Sequence, residues 1–216
     1  MEECFVESYN LKQAKKFIKA IKGHKFEYCY KLIMTYTLSR NELLNLEWSD
    51  IDFENKTITF YPVKYNQDSG LYKYQFEKIK KLELGRTFPL LPHIEKLLLK
   101  QREKELNQND DFVCVRKNGL KLNANTLSRN VRMIADKEKM PQTKIHGIKY
   151  CCHDLFLKNS PNINFFRCWT RFDLIERKEN LLDNIDLFSA KRFLKIIDNF
   201  LETGNLDLRS RSDAEM

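Results

Sequence analysis

Apolar residues recur along this chain mostly at helical spacing. Ala14, Phe17, Ile18 and Ile21 share one face of a stretch from about Leu11 to Lys22, and Lys12, Lys15, Lys16 and Lys19 occupy the other. Asn10 is placed to cap that helix and Gly23 to end it, with residues 1–10 reading as an extended lead-in. A second helix, from about Lys25 to Thr37, is apolar or aromatic almost all round (Phe26, Tyr28, Tyr30, Leu32, Ile33, Met34), which predicts a core position. Next comes Leu38 to Phe53, LSRNELLNLEWSDIDF. Leu38, Leu43, Leu44 and Leu46 give it a short apolar helical face. Ser39 followed three residues later by Glu42 is a capping box, in which hydroxyl and carboxylate satisfy the free N–H groups of a helix start. Trp48, Ile51 and Phe53 then lead toward a strand.

Glu54-Asn55-Lys56 reads as a turn, and Thr57 to Tyr61 alternates and is β-branched, so it is a predicted strand. Pro62 to Gly70 reads as a polar loop. Leu71 to Phe76 and Arg86 to Phe88 complete an expected three-stranded sheet. Pro92 at a first helical position opens a helix to about Leu106 with Ile94, Leu97, Leu98 and Gln101 inward. After a polar break at Asn107–Asp111, a short apolar run at Phe112–Val115 and a turn at Asn118-Gly119, a helix starts at Asn123 or Asn125 and runs to about Glu138. Leu127, Val131 and Ile134 form its apolar face, and Asn125, Arg129 and Arg132 the opposite one. That arginine ridge suits phosphate contacts as well as it suits a solvated surface. Near the end, Leu187, Ala190, Leu194, Ile197 and Leu201 repeat at 3, 4, 3 and 4, widened by Phe193, Ile196 and Phe200, with Lys191, Arg192, Lys195 and Asp198 on the polar side and Gly204 as the stop. So broad a stripe must be buried, either on its own domain or on a second chain. The expected class is mainly α with a small antiparallel sheet, in two parts: a domain over 1–175 and a divergent helical tail over 176–216.

The chain has 216 residues, a formal net charge of +8 and a sequence pI near 9.1. Residues 173–216 hold seven basic and ten acidic side chains, a net of −3, which leaves +11 on residues 1–172. A basic body with an acidic tail fits a polyanionic partner. The six cysteines form no C-x-x-C pair, and no secretory or membrane-spanning run is present, which reads as a cytoplasmic protein with reduced thiols and no membrane partner. His146, Cys151, Cys152 and His153 lie close in sequence, but their spacing matches no usual zinc pattern, so neither metal nor cofactor is expected.

Leu38 to Phe53 resembles a segment of the tyrosine recombinases (phage and conjugative-element integrases), T-G-L-R-x-G-E-L-L-x-L-x-W-x-D-I-D-F. Leu38, Glu42, Leu43, Leu44, Leu46, Trp48, Asp50, Ile51, Asp52 and Phe53 stand in register. The likeness continues through Phe88-Pro89-Leu90, similar to V-P-L or I-P-L; through Asn123 to Ala135, similar to N-T-L-S-R-x-x-R; and through HGIKYCCHDLFLKNSPNINFF, similar to H-x-L-R-H-T and the helix after it. It spans about Val6 to Phe166. What it implies is a recombinase catalytic domain acting on double-stranded DNA, which the family usually precedes with a separate helical DNA-clamping domain.

The catalytic positions carried over are degraded. The first motif arginine falls on Ser39 and the second on Lys149, while His146 meets the motif histidine. Lys80 lies nine residues before Pro89, where the family's general-acid lysine stands, with Lys81 as rival. The third histidine falls on Phe172, with Trp169 three residues early, and no tyrosine follows Tyr150, although the nucleophile belongs near Leu181. The resemblance therefore implies a catalytically disabled relative from a mobile element or phage that contacts DNA through Lys80, Lys81, Arg129, Arg132 and Lys149. It could work as a homo-oligomer, or as a hetero-oligomer with active recombinases. Alternatives are an active recombinase using Tyr150 or a partner's tyrosine, an interaction module that no longer binds DNA, and a decaying gene product.

Overall fold

The helix that is apolar all round is the one the rest is packed on. The computed structural model describes residues 8–66, 75–78, 85–105, 111–116, 120–160 and 187–205. Every residue of α2 (Glu27–Tyr36) from Tyr28 onward is buried. Around it lie α1 (Leu11–Ile21), α3 (Arg40–Leu44), α4 (Pro92–Glu105), α6 (Ile145–Tyr150) and α8 (Leu187–Thr203). Because α2 has no solvent face, each of its polar groups needs an internal partner. Lys31 Nζ lies 2.9 Å from Glu27, and Thr35 Oγ1 donates to the Lys31 carbonyl at 2.7 Å. The Tyr30 hydroxyl donates to the Leu127 carbonyl at 3.2 Å, and that of Tyr36 to the Pro89 carbonyl at 3.0 Å. Burial pushes both phenols well above their ordinary pKa, and Tyr9, packed on Phe17, is pushed up to about 12.

The predicted stops are real. Gly23, just past α1, and Gly204, just past α8, both take positive φ, +77° and +72°, where a side chain would be strained. Asn10 caps α1 in a full capping box with Gln13.

The sheet differs from the one expected. β1 (Ile51–Asp52), β2 (Thr57–Phe60) and β5 (Arg86–Pro89) form an antiparallel three-stranded sheet in the order β1-β2-β5. Ile58, Phe60 and Phe88 face the core, where the Phe60 and Phe88 rings lie 5.2 and 5.4 Å from that of Tyr36. On the outer face Thr59 and Thr87 share a hydroxyl hydrogen bond of 2.9 Å. The third strand is therefore β1, not Leu71–Phe76. Val63–Asn66, expected as loop, is a strand (β3) that pairs with Gln75–Lys78 (β4) in a separate ribbon. Pro62 supplies the reason: without an N–H it cannot continue the ladder, so the chain leaves the sheet there and pairs locally. Residues 71–74 and the Asn118-Gly119 turn lie outside the described residues.

α5 (Ala124–Lys137) packs against α1, α3 and α6, and α7 (His153–Asn159) against α8. α8 covers α1, α2, α4 and α7 of its own chain, so the stripe is buried in cis. Phe193, Ile197, Phe200 and Leu201 lie at its centre and Leu194 is only half-buried at the margin, a rotation from the expected centre line. Asp198, assigned to the polar side, instead faces α4. Its Oδ1 accepts the His93 backbone N–H at 3.1 Å and contacts the buried His93 ring at Nδ1. A carboxylate from another helix thus satisfies a free N–H in the first turn of α4. Among the described residues no helix is long and apolar enough to cross a membrane.

Candidate functional site

The capping box at Leu38–Phe53 is present and fixes one wall of a cleft. Thr37 ends α2 in the left-handed region at φ 50°, and Ser39 follows in extended conformation as the N-cap of α3. The Ser39 Oγ accepts the Glu42 N–H at 3.2 Å, and Glu42 Oε2 accepts the Ser39 N–H at 2.8 Å. The other carboxylate oxygen of Glu42, Oε1, binds Arg86 of β5 at 3.1 Å, with both side chains almost fully buried. Glu42 therefore ties the start of α3 to the sheet. The sequence pattern shows the cap but carries no signal for Arg86, because the pair depends on where β5 lands.

α3, α5 and α6 converge around an open cleft of about 430 Å³. Its lining includes Ser39, His146 and Lys149, so these three motif positions are brought together. Arg132 joins them from α5 and Arg129 does not. The cleft-facing stripe of α5 is Asn125, Ser128 and Arg132, rotated slightly from the expected ridge of Asn125, Arg129 and Arg132, although all three ridge residues are exposed.

Two cations were missed. Arg40 follows Ser39 directly, a step that on a regular helix turns a side chain by about 100°, yet both line the same cleft. The helical step does not apply, because Ser39 has φ −71° and ψ 156° and only Arg40 begins the helix. Lys144, the N-cap of α6, is also in the lining; its preceding context, Pro141 to Thr143, gave no periodic signal. The cleft thus gathers Arg40, Arg132, Lys144 and Lys149 with His146, and among the described residues its lining holds no carboxylate and no tyrosine. Lys80, Lys81 and Phe172, with Trp169 and Leu181, lie outside the described residues.

Tyr150 sits one turn after His146 on α6 and is half-buried. The two rings meet edge to face with centroids 4.7 Å apart, His153 lies 6.2 Å away on α7, and the Lys149 ammonium is 5.1 Å from the Tyr150 ring. Cys151 and Cys152 are buried behind them with sulfurs 3.8 Å apart; the neighbouring thiol and burial push the Cys152 thiol well up. Among the described residues no group of three or more His, Cys, Asp or Glu is arranged to hold a metal. What the cleft can do is bind an anion. A planar two-point grip of the kind an arginine gives is absent at Lys149, which offers a point charge.

Helices packed on α2, a small antiparallel sheet and this cleft form the fold of tyrosine recombinase catalytic domains. It is shared with the XerA recombinase (TM-score 0.59, 16% identity, 88% of this chain and 65% of that one) and with a Tn1549 transposon integrase solved in complex with transposon right end DNA (TM-score 0.63, 15% identity, 87% and 65%). It is also shared with a lambda integrase dimer bound to a core site (TM-score 0.53, 12% identity, 87% and 47%). The phage integrase family model matches residues 7–162, and the chain belongs to that family. A tyrosine recombinase XerC-like protein of Caldanaerobacter subterraneus subsp. tengcongensis is 29% identical over 166 residues, 68% of this chain. The chain spans 42% of that relative's length.

Proposed function

We propose that this chain is a DNA-binding member of the phage integrase family that does not perform covalent strand cleavage, and that it derives from a mobile element or phage. The observation that carries the reading is the cleft: Ser39 and Lys149, which the resemblance aligns with the two motif arginines, line it among cations and, among the described residues, with no carboxylate. Loss of one preorganised donor to a transition-state oxygen typically costs about 10²–10³ in rate. Ser39 has no charge to offer, and Lys149 keeps the charge without the fork. No tyrosine stands near Leu181, where the resemblance puts the family's nucleophile, so that position offers no phenol for the covalent step. Lys80 and Lys81, on the arm before Phe88-Pro89-Leu90, and Arg129, beside the cleft, would add backbone contacts. The solved relatives in complex with DNA support duplex DNA as the partner.

A titration of fluorescent duplex DNA at several salt concentrations tests the reading. If about four to six phosphates are neutralised, log K falls against log salt with a slope of about −4 to −5. Flat salt dependence, or no binding at low salt, refutes it. The contact between His146 and Tyr150 favours one second reading, in which Tyr150 acts as an unusual nucleophile; its absence from the cleft lining weighs against it.

A further inference from the structure

We propose that the cleft holds one backbone phosphate of a DNA duplex between Arg40 and Arg132, two cations outside the motif's arginine positions, so that the charge lost at residue 39 has been replaced from neighbouring elements. The proposal rests on the DNA-binding reading above and names the residues that make the contact. Three other cations of the body are held by carboxylates: Arg86 by Glu42, Lys31 by Glu27 and Lys56 by Glu95. Arg40 and Arg132 are both exposed, both line the cleft, and neither has a hydrogen-bond or ion-pair partner among the described residues. Among the described residues no carboxylate lines the cleft they share. Like charges gathered without counter-charge repel one another, and an anion seated there relieves that repulsion. The cleft, about 430 Å³, has the size of a small-ligand site, so a duplex can offer it only a protruding backbone group. Arginine on both sides suits the separate non-bridging oxygens of one phosphodiester. Arg40 enters from the first residue of α3 and Arg132 from the third turn of α5, and the contact between α3 and α5 fixes their relative position.

The test uses the full chain and a fluorescent duplex of arbitrary sequence, with the slope of log K against log salt as readout. That slope counts phosphates neutralised. Arg132→Ala and Arg40→Ala each flatten it by about half a unit, and the double variant flattens it by about one unit rather than two, because both serve the same phosphate. Adding Ser39→Arg to the double variant restores about one unit; Arg132→Lys, which keeps the charge, leaves the slope near that of the unmodified protein and serves if the Ser39 change lowers folding. Arg129→Ala, outside the cleft, adds its own loss to that of the double variant. A double variant that loses two units, or single variants with unchanged slope in a protein that still binds, overturns the shared phosphate while leaving DNA binding in place. No binding by the unmodified protein at low salt overturns both.

Discussion

Glu42 does two jobs at once, and removing it separates them. Its carboxylate closes the capping box on Ser39 and neutralises Arg86, and the side chains of the pair are only 2% and 8% exposed. Loss of a cap alone costs about 1 kcal/mol, which is what Ser39→Ala removes. Glu42→Ala removes the cap's second half and takes the carboxylate from a buried guanidinium, a class of change that costs about 3–5 kcal/mol. A domain of this kind has about 5–15 kcal/mol in all, so the loss is a large share of it. At about 2–4 °C per kcal/mol for a chain of this size, the melting temperature falls by roughly 6–20 °C. Glu42→Gln keeps the cap, since glutamine serves at that position, and keeps a neutral acceptor for Arg86, so it falls between the two. Replacing both partners with apolar residues, Glu42→Leu with Arg86→Met, recovers most of the loss. Urea and thermal unfolding of the four variants measure these costs. A Glu42→Ala cost no larger than that of Ser39→Ala would show that the pair does not anchor α3 to the sheet.

Three further outcomes follow from the packing. Phe200→Ala, at the fully buried centre of α8, lowers stability by about 3–5 kcal/mol in urea unfolding, and light scattering shows no change of mass, because α8 docks on its own chain. Leu194→Asp costs less than Phe200→Asp by the same assay, since Leu194 is at the half-buried margin; equal costs would contradict the rotation of the stripe. In alkali the folded chain keeps phenol protons that the unfolded chain releases, so stability holds below about pH 10 and is lost as pH rises toward about 12 for Tyr9, with Tyr30 and Tyr36 acting in the same direction. Each such group contributes at most about 1.4 kcal/mol per pH unit in that window. Urea midpoints measured from pH 8 to 11 check this, and a midpoint flat or rising across that range contradicts it.

Helices were legible wherever one face repeats at helical spacing. α1, α5 and α8 each begin and end within a residue or two of the expected bounds, because caps, stripes and stop glycines agree there. α2 was legible for the opposite reason, an apolar surface all round. The sheet was legible only in β2 and β5. β1 has two residues, too few to alternate visibly, and β3 is polar enough to resemble loop. Of the cleft, the sequence placed Ser39, His146, Lys149 and Arg132 through motif register and helix phase. It missed Arg40 because an N-cap breaks the helical phase, and Lys144 because a cap residue before a short helix has no periodicity to mark it. The partners Arg86 of Glu42 and His93 of Asp198 join elements 44 and 105 residues apart, and no local pattern encodes such pairs.

The claim that matters most is binding without covalent chemistry. The direct measurement is incubation of the chain with a nicked suicide duplex at low salt, with one portion resolved by native and the other by denaturing electrophoresis. Binding without cleavage gives a retarded complex on the native gel and no DNA-linked protein on the denaturing one. A denaturant-resistant band that disappears in Tyr150→Phe would contradict it and assign the nucleophile to Tyr150.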